Sequence, residues 1–202
     1  MTLKSLIYSD LYRYTGSTSI RLALSTLQHE PGFRYTCVLR CCGVLRRRKG
    51  MLARLSYVAA RLLLQHYTYK FGYQIPDTAE IGPGLFMNHL GATVINPAAK
   101  LGSNINLHGG ITIGQTNRGK AAGAPVIGDR VWIGANAAIV GGITIGDDVM
   151  IAPNAYVNFD VPSHCVVVGN PGQIVSTGGT EGYINNRYDV GDARMLPEEA
   201  LT

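Results

Sequence analysis

The chain has 202 residues, 46% hydrophobic and 15% charged, with no long charged or low-complexity run. That is a globular composition, enough for one large domain or a domain plus a small appendage, and it excludes an extended disordered chain. A net charge of +5 draws on a basic excess between Arg34 and Arg61, including Arg46-Arg47-Arg48-Lys49; it reads either as a solvated helix end or as a contact for an anionic lipid, glycan or phosphorylated cofactor, while the lack of a reader motif excludes nucleic acid.

Residues 1–70 form the first unit, a small α-helical domain. Leu3, Leu6, Ile7 and Leu11 share one helical face, with Ser9, Asp10, Tyr12 and Arg13 elsewhere on it. Tyr14-Thr15-Gly16 breaks that pattern, and Ser17-Thr18-Ser19 caps a second helix. Pro31-Gly32 is the next break. A third helix is expected from Phe33 to Arg47, ended by Lys49-Gly50, and a fourth from Met51 to about Tyr69, with Leu52, Leu55, Val58, Ala59 and Leu62 on one side. Cys37, Cys41, Cys42 and Cys165 lack paired metal-ligand spacing and read as reduced thiols. The Met1 end lacks the basic-then-apolar layout of a secretion signal, and no stretch is apolar enough for a membrane span. A cytoplasmic protein is expected, with peripheral contact at the inner membrane left open.

From position 75 a different period takes over. Ile75, Ile81 and Met87 are six apart; after a two-residue slip the beat resumes at Ile95, Leu101, Leu107 and Ile113, and later at Ile127, Ile133, Ile139, Ile145, Ile151 and Val157. A period of six belongs to neither a helix nor a simple strand but to a parallel β-helix, in which each hexapeptide gives one short strand and one turn. The expected fold is mainly β, with the coil over 71–172 and a polar loop leaving it at 115–125. Residues 173–202 form a polar tail expected to be mobile or to pack on a neighbour. A lone coil leaves its flat faces exposed; that three copies bury them, as a homotrimer with a dimer of trimers left open, is what the resemblance of these repeats to hexapeptide-repeat proteins implies.

His89 lies in Met87-Asn88-His89-Leu90-Gly91, where the register slips, and a slip bulges the backbone outward. An imidazole there suits removal of a hydroxyl proton at neutral pH. Ile81-Gly82-Pro83-Gly84-Leu85-Phe86-Met87-Asn88-His89, Val94 to Ala99, Ile111 to Gly114, Val131 to Ala137 and Val168-Gly169-Asn170-Pro171 together resemble the hexapeptide-repeat acetyltransferases, nearest to the serine acetyltransferase branch. The resemblance implies a left-handed β-helix, acetyl-CoA as donor and His89 as general base. It further implies that Gly114, Gly134, Ala135, Ala152 and Pro153 leave room for the pantetheine arm. Arg118 and Lys120 are candidate partners of the CoA phosphates. No metal is expected, because no third histidine joins His89 and His108 at a short spacing.

The sequence also departs from that branch. Asn88 and Gln74 stand where the resemblance implies two aspartates, and Gly123-Ala124 where it implies an Arg-His pair that holds the amino acid. An ammonium and a carboxylate desolvated without partners are costly. The expectation is therefore a sugar hydroxyl of a bacterial surface polysaccharide as acceptor. The alternatives are serine O-acetylation and a non-catalytic trimeric scaffold. The tail end, Glu199-Ala200-Leu201-Thr202, lacks the isoleucine implied for docking cysteine synthase, so no such complex is expected. Candidates to orient His89 or hold the acceptor are Asn88, Asp77, Glu30 and His108.

Overall fold

The computed structural model describes residues 1–189. Four helices come first: α1 (Leu3–Thr15), α2 (Ile20–His29), α3 (Pro31–Leu45) and α4 (Met51–Phe71). Pro31 occupies the opening turn of α3, where its missing N–H costs nothing, so α3 begins two residues before the expected start. Fifteen short strands follow among the described residues. They stack as three sheets, the sides of a three-sided coil. Sheet A is β1 (Tyr73–Gln74), β4 (Thr93–Ile95), β7 (Thr112–Gly114), β10 (Ala138–Val140) and β13 (Tyr156–Val157). Sheet B is β2 (Glu80–Ile81), β5 (Lys100–Leu101), β8 (Val126–Ile127) and β11 (Thr144–Ile145). Sheet C is β3 (Phe86–Met87), β6 (Asn106–Leu107), β9 (Trp132–Ile133), β12 (Met150–Ile151), β14 (Val166–Val168) and β15 (Gln173–Ser176). All pairings are parallel except β14 with β15.

The six-residue ladder is the coil's core. Its members are buried from Ile75 to Val157, apart from Ile81, which is half-buried beside α3. A second buried ladder runs two residues earlier, through Leu85, Ile105, Ile111, Val131, Ala137, Ile143, Val149 and Ala155. The helices join this core: Tyr35, Leu39, Cys42, Leu64 and Phe71 are continuous with it.

The first coil has no coil above it, so its backbone groups need other partners. Side chains of α1 and α3 supply them, one set per sheet. The Tyr35 hydroxyl donates to the carbonyls of Tyr73 (3.0 Å) and Ile75 (3.2 Å) at β1. At β2, Arg40 donates to the carbonyls of Ile81 (2.7 Å) and Gly82 (2.6 Å). At β3 the Tyr14 hydroxyl both donates to the Met87 carbonyl and accepts from the Met87 N–H, each at 3.0 Å. Asp10 Oδ1 accepts the Leu85 N–H at 2.8 Å, and Ser9 Oγ that of Gly84 at 3.0 Å. Arg13 donates to the Gly84 carbonyl (3.0 Å) and Asn106 Oδ1 (2.6 Å). Ser9, Asp10 and Arg13 are thus buried, because α1 turns its polar stripe onto an open sheet edge.

The sequence placed Leu52, Leu55, Val58, Ala59 and Leu62 on one side of α4 without saying which way that side turns. It faces outward, with Leu52 80% and Leu62 62% exposed, while Leu64, Phe71, Tyr57 and Tyr67 face the core. The described part of the tail packs on its own chain. After β15, Thr180 hydrogen-bonds Asp148, Tyr183 lies against Trp132, and the Asn185 carbonyl accepts from Arg13 at 3.0 Å. Tyr188 N donates to Asn104 Oδ1 at 2.7 Å. Burial disfavours the Asp148 carboxylate, yet hydrogen bonds from Thr180 and His164 win and hold its pKa below the usual value. The tail end from Glu199, on which the cysteine synthase expectation rests, lies outside the described residues. All four cysteines are free. No helix among the described residues is long and apolar enough to cross a membrane.

Asp10 and Arg40 form a buried two-point ion pair, at 2.9 and 3.1 Å. Arg40→Met leaves the Asp10 carboxylate buried without its cation and strips two carbonyls of their donor. Such breakage costs about 3–5 kcal/mol, so chemical denaturation of R40M is expected to show a loss in that range, against little change for an exposed control such as Arg21→Met.

Candidate active site

The corner between sheets C and A carries the site. From Met87 to Val94 the chain takes two more residues than from Leu107 to Thr112, their register partners one coil below. The surplus bulges outward and carries His89 at φ 60°, its side chain exposed. The bulge is tied down at both ends. The Tyr73 hydroxyl donates to the His89 carbonyl at 3.0 Å, and the Gly91 N–H to the Phe71 carbonyl at 3.3 Å.

Below the bulge the corner repeats coil by coil. Asn88 donates its N–H to the Leu107 carbonyl, His108 to Ile133, Gly134 to Ile151 and Ala152 to Val167, all at 2.8–3.1 Å. Asn88, His108, Gly134 and Ala152 therefore form one column, with Ala135 and Pro153 next along it. Of the sequence-predicted residues in it, Asn88 adjoins His89 and His108 follows one coil below, while Gly134, Ala135, Ala152 and Pro153 lie two and three coils below. The His89 and His108 ring centroids are 5.7 Å apart; His108 lies 4.5 Å from Trp132, and Trp132 5.6 Å from Tyr183. His108 Nε2 is buried with no hydrogen-bond partner among the described residues. Burial, and secondarily the nearby His89, lower the His108 pKa from 6.5, which favours a neutral ring. Trp132 and Tyr183 were not singled out from sequence. Trp132 could have been, since it occupies the outward position before an inward isoleucine, level with Asn106. Tyr183 lies in the tail, where no period operates.

The candidate orienting acids part company. Asp77 is buried at the helix–coil junction, accepting from the Tyr57 hydroxyl at 2.9 Å and facing Arg61 at 3.7 Å. It is thus committed to α4 and does not orient His89. Glu30 precedes α3 and makes no side-chain capping bond. A cleft of about 350 Å³ collects Glu30 with Asn88, Tyr14, Phe86, Thr26 and His29. Gly32 explains this placement: any Cβ there would collide with the Met87 carbonyl, so the α2–α3 junction sits directly on β3. The Tyr14 and Tyr73 pKa values are raised, chiefly by burial, with Glu30 as a further contributor. The only histidine–carboxylate ion pair among the described residues is His164 with Asp148. No group of three His, Cys, Asp or Glu side chains that could hold a metal occurs among them.

Gly114, Arg118 and Lys120 lie at the opposite corner, between sheets A and B. Gly114 ends β7, six residues from His108 across the Gly109–Gly110 turn, so the two lie at most roughly 20 Å apart. The 115–125 loop closes as a small hairpin, with Thr116 and Gly123 exchanging hydrogen bonds of 3.0 and 2.9 Å. Within one chain these three residues do not meet His89. The glycines also divide by cause. A Cβ on Gly134 would sit 2.5 Å from Pro153 N, so the coil's own packing demands that glycine. A Cβ on Gly114 would meet nothing closer than 3.8 Å. Its smallness answers no neighbour in this chain and leaves clearance on the outer surface.

With this geometry in hand, comparison with known proteins is informative. Residues 124–158 match the family described as bacterial transferase hexapeptide (six repeats). A serine acetyltransferase of Staphylococcus epidermidis is 40% identical over 142 residues, covering 70% of this chain and 64% of the relative. One from Staphylococcus aureus is 39% identical over 143 residues, covering 71% and 65%. The chain thus spans just under two thirds of the length of these relatives. Among solved structures, Neisseria gonorrhoeae serine acetyltransferase in complex with serine superposes with a TM-score of 0.69 at 31% identity, covering 86% of this chain and 69% of that one. The soybean serine acetyltransferase apoenzyme gives 0.70 at 28% identity, with the same coverage. These matches overturn the expectation of a polysaccharide acceptor, because the relatives bear the name of an enzyme of serine rather than of a sugar. The chain belongs to the hexapeptide-repeat transferases and has the left-handed parallel β-helix of the serine acetyltransferases.

Proposed function

We propose that this chain transfers the acetyl group of acetyl-CoA to the hydroxyl of L-serine. The observation that carries the reading is the 40% identity to a serine acetyltransferase over 142 residues, in a chain whose exposed imidazole stands on a bulged coil corner. In this reading His89 takes the proton of the serine hydroxyl as its oxygen bonds to the thioester carbon. Backbone N–H groups stabilise the tetrahedral oxyanion. The C–S bond then breaks, the CoA thiolate leaves, and the proton held by His89 passes to that sulfur. The products are O-acetylserine and CoA.

Serine brings an ammonium that needs an anion. Glu30 answers that need. It makes no side-chain capping bond and lines the cleft that it shares with Asn88, the residue before His89. The Asn88 amide then meets the amino acid as a neutral hydrogen-bonding group, and His108, kept neutral by its surroundings, adds no competing positive charge. The donor needs both corners of sheet A. A homotrimer supplies them when the loop corner of one chain, with Gly114, Arg118 and Lys120, packs beside the histidine corner of the next.

Three outcomes test this reading. In a thiol-release assay with acetyl-CoA, L-serine is expected to be the preferred acceptor over a panel of sugars and glycans; preference for a sugar overturns it. His89→Ala is expected to lower turnover by about 10²–10⁴-fold, and near-native turnover removes His89 as the base. Glu30→Gln is expected to raise KM for serine by about ten- to hundredfold with kcat little changed; an unchanged KM removes Glu30 from the acceptor site.

A pH dependence follows from His108. Its pKa is lowered in the folded chain, so below the ordinary value of 6.5 the unfolded chain binds the proton first. The stability it contributes is present above pH 6.5 and is lost as pH falls toward the depressed folded value. The unfolding midpoint is expected to fall between pH 7.5 and about pH 5.5, and less so in His108→Gln.

A further inference from the structure

We infer that the outer face of α4, together with the basic turn before it, is a docking surface for an anionic lipid bilayer. Met51, Leu52, Leu55, Val58, Leu62 and Tyr69 are 49–80% exposed on one helix of 21 residues. At 100° per residue they fall within an arc of roughly 120°, along a helix about 31 Å long. A contiguous apolar stripe of this size needs a partner.

Charge selects which one. From Pro31 to Pro76 the sequence has no Asp or Glu and holds nine of the eighteen Lys and Arg residues. Arg40 is committed to Asp10, and Arg61 faces Asp77. The turn Arg46-Arg47-Arg48-Lys49 stands exposed or half-exposed at the start of the stripe. Arg46, Arg48 and Arg54 line a single hollow of about 270 Å³ with Tyr57, again without an acid. A second copy docked through this face would set cations against cations with no acid to answer them. A bilayer rich in anionic headgroups meets both demands: phosphates over the arginines and acyl chains against the leucines. An interfacial helix lies in the same way, with its apolar face sunk to the level of the headgroups.

Vesicle co-sedimentation with the full chain tests this. The protein is expected to sediment with vesicles of phosphatidylglycerol and phosphatidylcholine, to be released by high salt, and to stay in solution with phosphatidylcholine alone. Leu55→Glu combined with Leu62→Glu is expected to lower the partition coefficient about tenfold or more, with the circular dichroism spectrum and thiol release in solution unchanged. Arg46→Ala and Arg48→Ala are each expected to weaken it about fivefold. Failure to sediment with anionic vesicles overturns the inference. So does unchanged binding by the double glutamate variant. Release by inorganic phosphate but not by chloride of equal ionic strength would reveal a small phosphate site in place of a bilayer contact. Light scattering gives the remaining outcome: if the glutamates halve the assembly mass and neither protein binds vesicles, the face belongs to a second copy and the inference falls.

Discussion

The first coil of a β-helix is an open edge on three sides at once, and the rest of this molecule depends on how that edge is closed. Each sheet needs its first strand paired, and no strand precedes it. Tyr35, Arg40 and Tyr14 close sheets A, B and C in turn, with Ser9, Asp10 and Arg13 around the last corner. A hydroxyl that donates to a carbonyl and accepts from the N–H of the same residue, as Tyr14 does at Met87, replaces a neighbouring strand atom for atom. Unpaired, each of these buried groups costs about 1–3 kcal/mol. The helices are therefore a lid whose polar stripe is part of the sheet ladder. The same docking fixes the site. Tyr73, held at its carbonyl by Tyr35, holds the His89 carbonyl with its own hydroxyl. Gly32 seats Glu30 beside Asn88.

This explains what could be read from the sequence and what could not. The coil was legible because its signal is periodic and local: one inward aliphatic per hexapeptide, from Ile75 to Val157, is nearly all buried. The His89 bulge was legible for the same reason, as a slip in that period. The fates of Asp10, Arg13 and Arg40 were not. A helical-face reading asks which side is apolar and is silent on what the polar side meets, and here the partner is backbone 41 to 75 residues further along. The direction of the α4 stripe was likewise not legible. Its leucines lie on one side as the period says, but no local pattern tells an inward side from an outward one, and Leu64 and Phe71 carry the burial instead.

The acceptor is a sharper lesson in the same physics. The rule that a desolvated ammonium needs a carboxylate is sound, and Asn88 and Gln74 do lack one. The choice of a sugar weighed only the positions where the resemblance places those acids, although Glu30 stood among the candidates. Glu30 comes from the helix junction, 58 residues before Asn88, and no spacing in the coil announces it. Asp77, nearer in sequence and in the same coil, is drawn to Tyr57 and Arg61. The sequence offered both acids alike; packing commits Asp77 to α4 and leaves Glu30 lining the cleft with Asn88.

Gly114 and Gly134 show why residue type alone does not assign a site. Both are small, and the resemblance read from the sequence implied the same role for both, leaving room for an acyl donor's arm. Yet Pro153 of the next coil already forbids a Cβ at Gly134, so that glycine would be required in a coil that binds nothing. Gly114 has no such neighbour. It interrupts the end of a strand, where a missing side chain weakens the sheet, and gains nothing inside its own chain in return. What the open surface at Gly114 admits must come from outside: a thin ligand arm, or another chain bringing one. The histidine corner lies a full sheet width away, so an arm that starts at the loop of one chain reaches an imidazole most directly on the next. The trimer proposed here would bring the two corners together across chains, and Gly114 is the residue whose open surface that proposal uses.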